Sequence, residues 1–119
     1  MLCLTGRAIL VILLIMVGQS YFIELTSADR IRVRFSLNRG TVVDFVVQYE
    51  AVIEERWQPI VRYDLAHGYL HRDRPDPRGI MTTKEAIPYG TLASAMTEAI
   101  REIKIDWSEY RRWFEERLL

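Results

Sequence analysis

Cysteine is nearly missing from this chain: Cys3 stands alone, which excludes an intramolecular disulfide and any cysteine-rich zinc site. Net charge is missing as well. Sixteen Lys and Arg balance sixteen Asp and Glu, so no global field draws the protein to nucleic acid or to an anionic membrane, and any such contact needs a local patch. There is no internal repeat and no low-complexity segment. Gly40 and Gly79 belong to no phosphate-cradling loop, and Ser36, Ser94 and Ser108 lack the context of a nucleophile. What is present is a chain of 119 residues, half of them apolar, enough for one domain with a single core and too little for two.

The N-terminus stands apart. Arg7 precedes the apolar run from Ala8 to Val17, and no charge follows until Glu24. With Gly18-Gln19-Ser20 after it, this has the form of a secretory signal peptide. A membrane anchor through residues 8–23 is a second reading, although the continuous apolar part is shorter than the roughly 20 residues that span a bilayer. A start read too far upstream, or a buried N-terminal segment, are others. Residues 1–26 are therefore set aside as an apolar N-terminal segment, with a single domain over 27–119. The folded domain is expected in the cytoplasm, or outside it if the segment exports or anchors the chain.

From the domain start, Ile31, Val33, Phe35 and Leu37 alternate with Arg32, Arg34, Ser36 and Asn38, the period of a strand with one buried face. Asn38-Arg39-Gly40 supplies a turn, with Gly40 suited to positive φ. Val43 to Ile53 makes a long central strand, and Trp57 to Leu65 a third, with Pro59 near its start or at an edge. Lys84 to Pro88 adds a short fourth. From Thr91 the period turns helical: Leu92, Met96, Ala99 and Ile103 form one stripe. Asp106 with Glu109 three residues on reads as a capping box opening a second helix, on which Trp107, Tyr110, Phe114 and Leu118 recur. The expected fold is α+β, an antiparallel meander of three to four strands packed on two C-terminal helices.

Chemistry is sought between Ile60 and Pro77, which holds both histidines and a dense alternation of Arg and Asp. His67 and His71, oriented by Asp64 and Asp73, have the chemistry of a general acid and base near neutral pH. Arg62, Arg72 and Arg74 have that of a phosphate clamp. Together they describe a metal-independent phosphodiester-cleaving site. Cross-strand pairing of these charges on a wet face is the plainer alternative. A metal held by His67, His71 and a carboxylate, Asp64 or Asp73, is a further one, but His-x-x-x-His signals zinc when a helix presents both rings, and Gly68 and Pro75 argue against a helix. The reading adopted uses no metal and no cofactor. The aromatic set Trp107, Tyr110, Trp113 and Phe114 could stack bases, though its helical spacing is that of a core face.

The order Val61-Arg62-Tyr63-Asp64, His67-Gly68, His71-Arg72, then a Tyr-Gly at a helix start resembles the Arg-Tyr-Asp…Gly…His pattern of the TumE-type small toxins of toxin-antitoxin pairs. The likeness in element order runs from about Ile31 to Lys104; residue identity is confined to the motif. Leu65 stands where that family usually has asparagine, and a single His71 where it has His-x-His. The resemblance implies a small α+β protein acting on RNA or translation, an antitoxin protein as partner, and Arg62, Asp64, His67 and His71 as its site. The function expected is thus a toxin-like endoribonuclease. Its rivals are a non-enzymatic interaction module, whose sheet edge or aromatic helix binds another protein or a second copy, and a secreted or membrane-tethered domain.

Overall fold

The computed structural model describes residues 16–78 and 82–119; the side chains of Met16, Val17, His67 and Thr82 lie outside that description. So do Cys3, Arg7 and the apolar run as far as Ile15, together with Gly79.

Six strands form one antiparallel sheet in simple sequence order: β1 (Met16–Thr26), β2 (Asp29–Asn38), β3 (Thr41–Ile53), β4 (Arg56–Asp64), β5 (His71–Pro75) and β6 (Thr82–Ala86). A 3-10 turn, Ala66–Gly68, joins β4 to β5, and one helix, α1 (Leu92–Glu116), closes the chain. The β2–β3 hairpin turns at Arg39 and Gly40, both at positive φ, where glycine carries no Cβ penalty. Pro59 lies at a register shift, facing Glu50, a position that tolerates a residue with no N–H to donate.

This architecture corrects the expected one in three places. The sheet has six strands rather than three to four. The part of the N-terminal segment that is described, from Met16 on, is not separate: β1 pairs with β2 from Met16↔Asn38 to Thr26↔Asp29. Ile23 and Leu25 of β1 pack on the core, whereas Phe22 on the other face lies against Arg30 and Arg32, whose guanidinium carbons are 4.3 and 5.1 Å from its ring centre. An apolar residue on each face hides the alternation that marks a half-buried strand. The third correction concerns the helices, because α1 runs unbroken through Asp106. No Gly or Pro interrupts Leu92 to Glu116, and Ala99, Ile103, Tyr110 and Phe114 keep one buried stripe across the supposed boundary. The helix is capped instead by Thr91, whose hydroxyl accepts from the Ser94 amide at 3.1 Å.

Register builds the core. Ile31 faces Tyr49, which faces Val61; Val33 faces Val47, which faces Tyr63. All six are almost wholly buried, and α1 lays its stripe over this face, with Trp107 edge-on to Tyr49 at 6.3 Å between ring centres. Ion pairs of opposite sense pin the helix at two points. Arg111 of α1 reaches buried Asp29 of β2 at 2.9 Å and also donates to the Val52 carbonyl at 3.2 Å. Glu102 of α1 receives Arg72 of β5 at 2.5 Å.

Ile103 is fully buried between helix and sheet. Ile103→Ala is expected to destabilise the fold by about 2–5 kcal/mol, from lost transfer energy and the cavity left behind, read as a fall in the urea unfolding midpoint at unchanged slope.

Candidate functional site on the open sheet face

Side chains alternate along a strand, and directly opposed residues share a face. The pairs Arg62↔Asp73 and Asp64↔His71 therefore put these four on the face turned away from α1, while Tyr63↔Arg72 point toward it. Arg74 goes with Arg72: its guanidinium lies 4.9 Å from the Tyr110 ring centre and 5.8 Å from that of Trp113. The six residues read from sequence as one site are thus split by the sheet. Arg62, Asp64 and His71 come together on the open face, and Arg72 and Arg74 lie on the helix side. The His67 backbone lies in the 3-10 turn.

The open-face cluster is tight and mostly buried. His71 is 1% exposed. Its Nδ1 faces the Tyr69 carbonyl at 3.2 Å, and its Nε2 faces Asp64 Oδ1 at 2.7 Å and Asp73 Oδ2 at 3.4 Å. The Tyr69 ring tilts against the imidazole, 5.1 Å between centres. Asp64 also accepts from the Ala66 amide at 3.2 Å and from Arg62 Nε at 2.7 Å, so the turn after β4 and the guanidinium beside it fix the carboxylate. Asp73 is held less well. Its Oδ1 is buried without a hydrogen-bond partner among the described residues, a condition that costs about 1–3 kcal/mol.

Beside this cluster a groove of about 250 Å³ is lined by Arg34, Arg62, Asp44, Asp64, Val46, Leu65 and Ala66. Arg34 is exposed and makes no ion pair among the described residues. Sequence reasoning passed over it as one polar position of an alternating strand. The signal was there in the register: Arg34↔Val46↔Asp64 runs straight across three strands.

On the helix side Arg72 is a fastener. It donates to Glu102, to Glu85, to the Tyr110 hydroxyl at 3.1 Å and to Tyr63 at 3.5 Å. Tyr110 also donates to Glu102. Burial pushes Glu102 up, but hydrogen bonds from Tyr110 and Tyr63 and the Arg72 charge outweigh it and leave the carboxyl below its ordinary value. Burial and its link to Glu102 raise Tyr63. A wider cleft of about 440 Å³ opens here. Its Arg72, Arg74 and Arg112 are matched by Glu102, Asp106, Glu109 and Glu116, so it offers an anion no net attraction. Glu50, back on the open face, follows the same rule as Glu102: burial raises it, while Arg30, Gln48 and Arg32 bring it below the ordinary range.

Fold and site together define a two-layer α+β protein, a six-stranded meander with a helix on one face and a charged cluster on the other. Over residues 16–118 the chain matches the family described as Domain of unknown function (DUF7718), and it belongs to that family. No curated protein and no solved structure matches it.

Because Glu102 binds its proton less readily folded than unfolded, its stabilising contribution is full above the ordinary value of 4.5 and is lost as pH falls through the lower folded value. Glu102→Gln is expected to flatten the loss of stability as pH falls below the ordinary value of 4.5, followed by urea midpoints at each pH; an unchanged profile would remove Glu102 from that role.

Proposed function

We propose that this is a small toxin-like protein that acts on RNA, and that the phosphodiester enters the groove between Arg34 and Arg62 on the open sheet face. One observation carries the reading: Arg34, exposed and committed to no carboxylate among the described residues, borders with Arg62 a groove that Asp44 and Asp64 also line, and Asp64 joins that groove to the Asp64–His71–Asp73 cluster. Guanidinium groups suit phosphate oxygens because they present several donors in one plane. The Arg62 Nε is spent on Asp64 at 2.7 Å and its Nη1 donates to Gln48 at 3.4 Å, which fixes the plane of the guanidinium beside the groove. The resemblance to TumE-type toxins supplies the substrate class, and an antitoxin protein is the partner that goes with it.

In this reading His71 does not meet the substrate. At 1% exposure it is a positioning residue that holds Asp64 from behind. The interaction-module alternative draws support from that same burial, and from Arg72 being committed to Glu85 of β6 and Glu102 of the helix; it requires that RNA not bind the groove. A membrane role would lie with residues 8–23, of which Met16 to Ile23 belong to β1. Among the described residues no helix is long and apolar enough to cross a membrane.

Single-stranded RNA of mixed sequence should bind the purified chain with an affinity that falls as salt rises. Arg34→Ala should weaken binding about 5- to 10-fold at low salt and reduce the salt slope by roughly one counterion. Equal affinity of Arg34→Ala, Arg62→Lys and wild type would place RNA elsewhere or nowhere. Growth arrest on expression, lost in Arg34→Ala, is the expected readout in cells.

A further inference from the structure

The geometry points to a divalent metal site formed by Asp64, His71 and Asp73, suited to an ion such as Mn²⁺ or Zn²⁺. One ligand atom from each of the three lies within 4.8 Å of the other two. Ligands held about 2.0–2.2 Å from a tetrahedral ion lie roughly 3.3–3.6 Å apart. Of the two contacts at His71 Nε2, that to Asp73 is already 3.4 Å and that to Asp64, at 2.7 Å, must open by about 0.6–0.9 Å to admit an ion.

Three features beyond proximity favour the ion. The Tyr69 carbonyl faces Nδ1, which places a proton on that nitrogen and turns the Nε2 lone pair toward the two carboxylates, the usual arrangement behind a metal-bound histidine. Asp64 is already oriented by Arg62 Nε and the Ala66 amide, so its ligand oxygen needs no further ordering. Asp73 supplies the third. It has a buried oxygen without a partner and no guanidinium or ammonium paired to it among the described residues; the cations opposite it in register are Arg62 and Lys84, and Arg62 is turned to Asp64. A carboxylate in that position is short of positive charge, and a cation at Nε2 supplies it. One imidazole and two carboxylates are a mixed nitrogen and oxygen set that suits Mn²⁺, Fe²⁺ or Zn²⁺ better than Mg²⁺ or Ca²⁺, which favour oxygen alone.

Against this stands the arrangement in which a doubly protonated His71 bridges both aspartates with no metal. The two differ in what Asp73→Asn does. With a metal, the substitution removes a ligand. Without one, it replaces an underpaired buried carboxylate by an amide and has no effect on metal uptake, there being none. The metal inference goes beyond the RNA reading and does not depend on it.

The experiment is titration of the chelator-treated full chain with Mn²⁺ and with Zn²⁺, followed by calorimetry and by thermal unfolding. Expected are one equivalent bound per chain and a rise in Tm, with affinity at least 10-fold lower in Asp73→Asn and in His71→Gln. Glu109→Gln, an exposed helix carboxylate away from the cluster, should bind as the wild type. If His71→Gln does not fold, Asp73→Asn decides. Absence of uptake by the wild type at millimolar metal, or uptake undiminished in Asp73→Asn, overturns the site. RNA binding without metal uptake would sink this inference alone; metal uptake without RNA binding would sink only the RNA reading.

Discussion

A pleated strand cannot give the helix one face without giving the opposite face every second residue, and most of this molecule follows from that constraint. Val61, Tyr63 and Arg72 serve the packed side; Arg62, Asp64, His71 and Asp73 belong to the other. The stretch from Val61 to Arg74 therefore does two jobs with interleaved letters. One set seals the helix to the sheet through Arg72, Glu102 and Tyr110. The other builds the cluster around His71. Substitutions one residue apart here should differ in kind: at Tyr63 or Arg72 they act on stability, at Arg62 or Asp64 on whatever the open face binds.

Charge is used at depth as well as on the surface. Asp29, Glu50, Asp64 and His71 are all buried, and three of them are well supplied with donors. Asp29 takes Thr26, Tyr49 and Arg111; Glu50 takes Arg30, Arg32 and Gln48; Asp64 takes Arg62, His71 and the Ala66 amide. Removing one partner from such a group leaves an unpaired buried charge, which costs far more than the pair itself contributes. Asp73 departs from this pattern, and it does so beside a buried imidazole.

The central strands were legible because Ile31 to Leu37 and Val43 to Ile53 alternate over many residues, and Asn38-Arg39-Gly40 marks the turn between them. Three things were obscured by physics that composition does not display. In β1, Phe22 is apolar yet faces the open side, flanked by arginines from β2, so Tyr21-Phe22-Ile23 reads as a continuation of the apolar run before it. In α1, Asp106 and Glu109 carry a capping signal that the continuing apolar stripe overrides; a cap residue in mid-helix merely points outward. At the site, the 3-10 turn at Ala66–Gly68 resets the count of faces between β4 and β5. That put Arg62, Asp64 and His71 on one face and Arg72 and Arg74 behind the sheet. Arg34 could not be found without the register, since 30 residues separate it from Asp64.

Each strand of this sheet pairs only with its neighbours in sequence, and that has a consequence for the order of assembly. Hairpins between adjacent strands close short loops, which is entropically cheap and fast. During synthesis the whole sheet emerges before any of α1. For that interval Ile31, Val47, Tyr49 and Val61 form an uncovered apolar surface bounded by two free strand edges, a state prone to association. Arg111 and Glu102, both on the last element to arrive, end that exposure by finding charges of the opposite sign, Asp29 and Arg72, that are already in place.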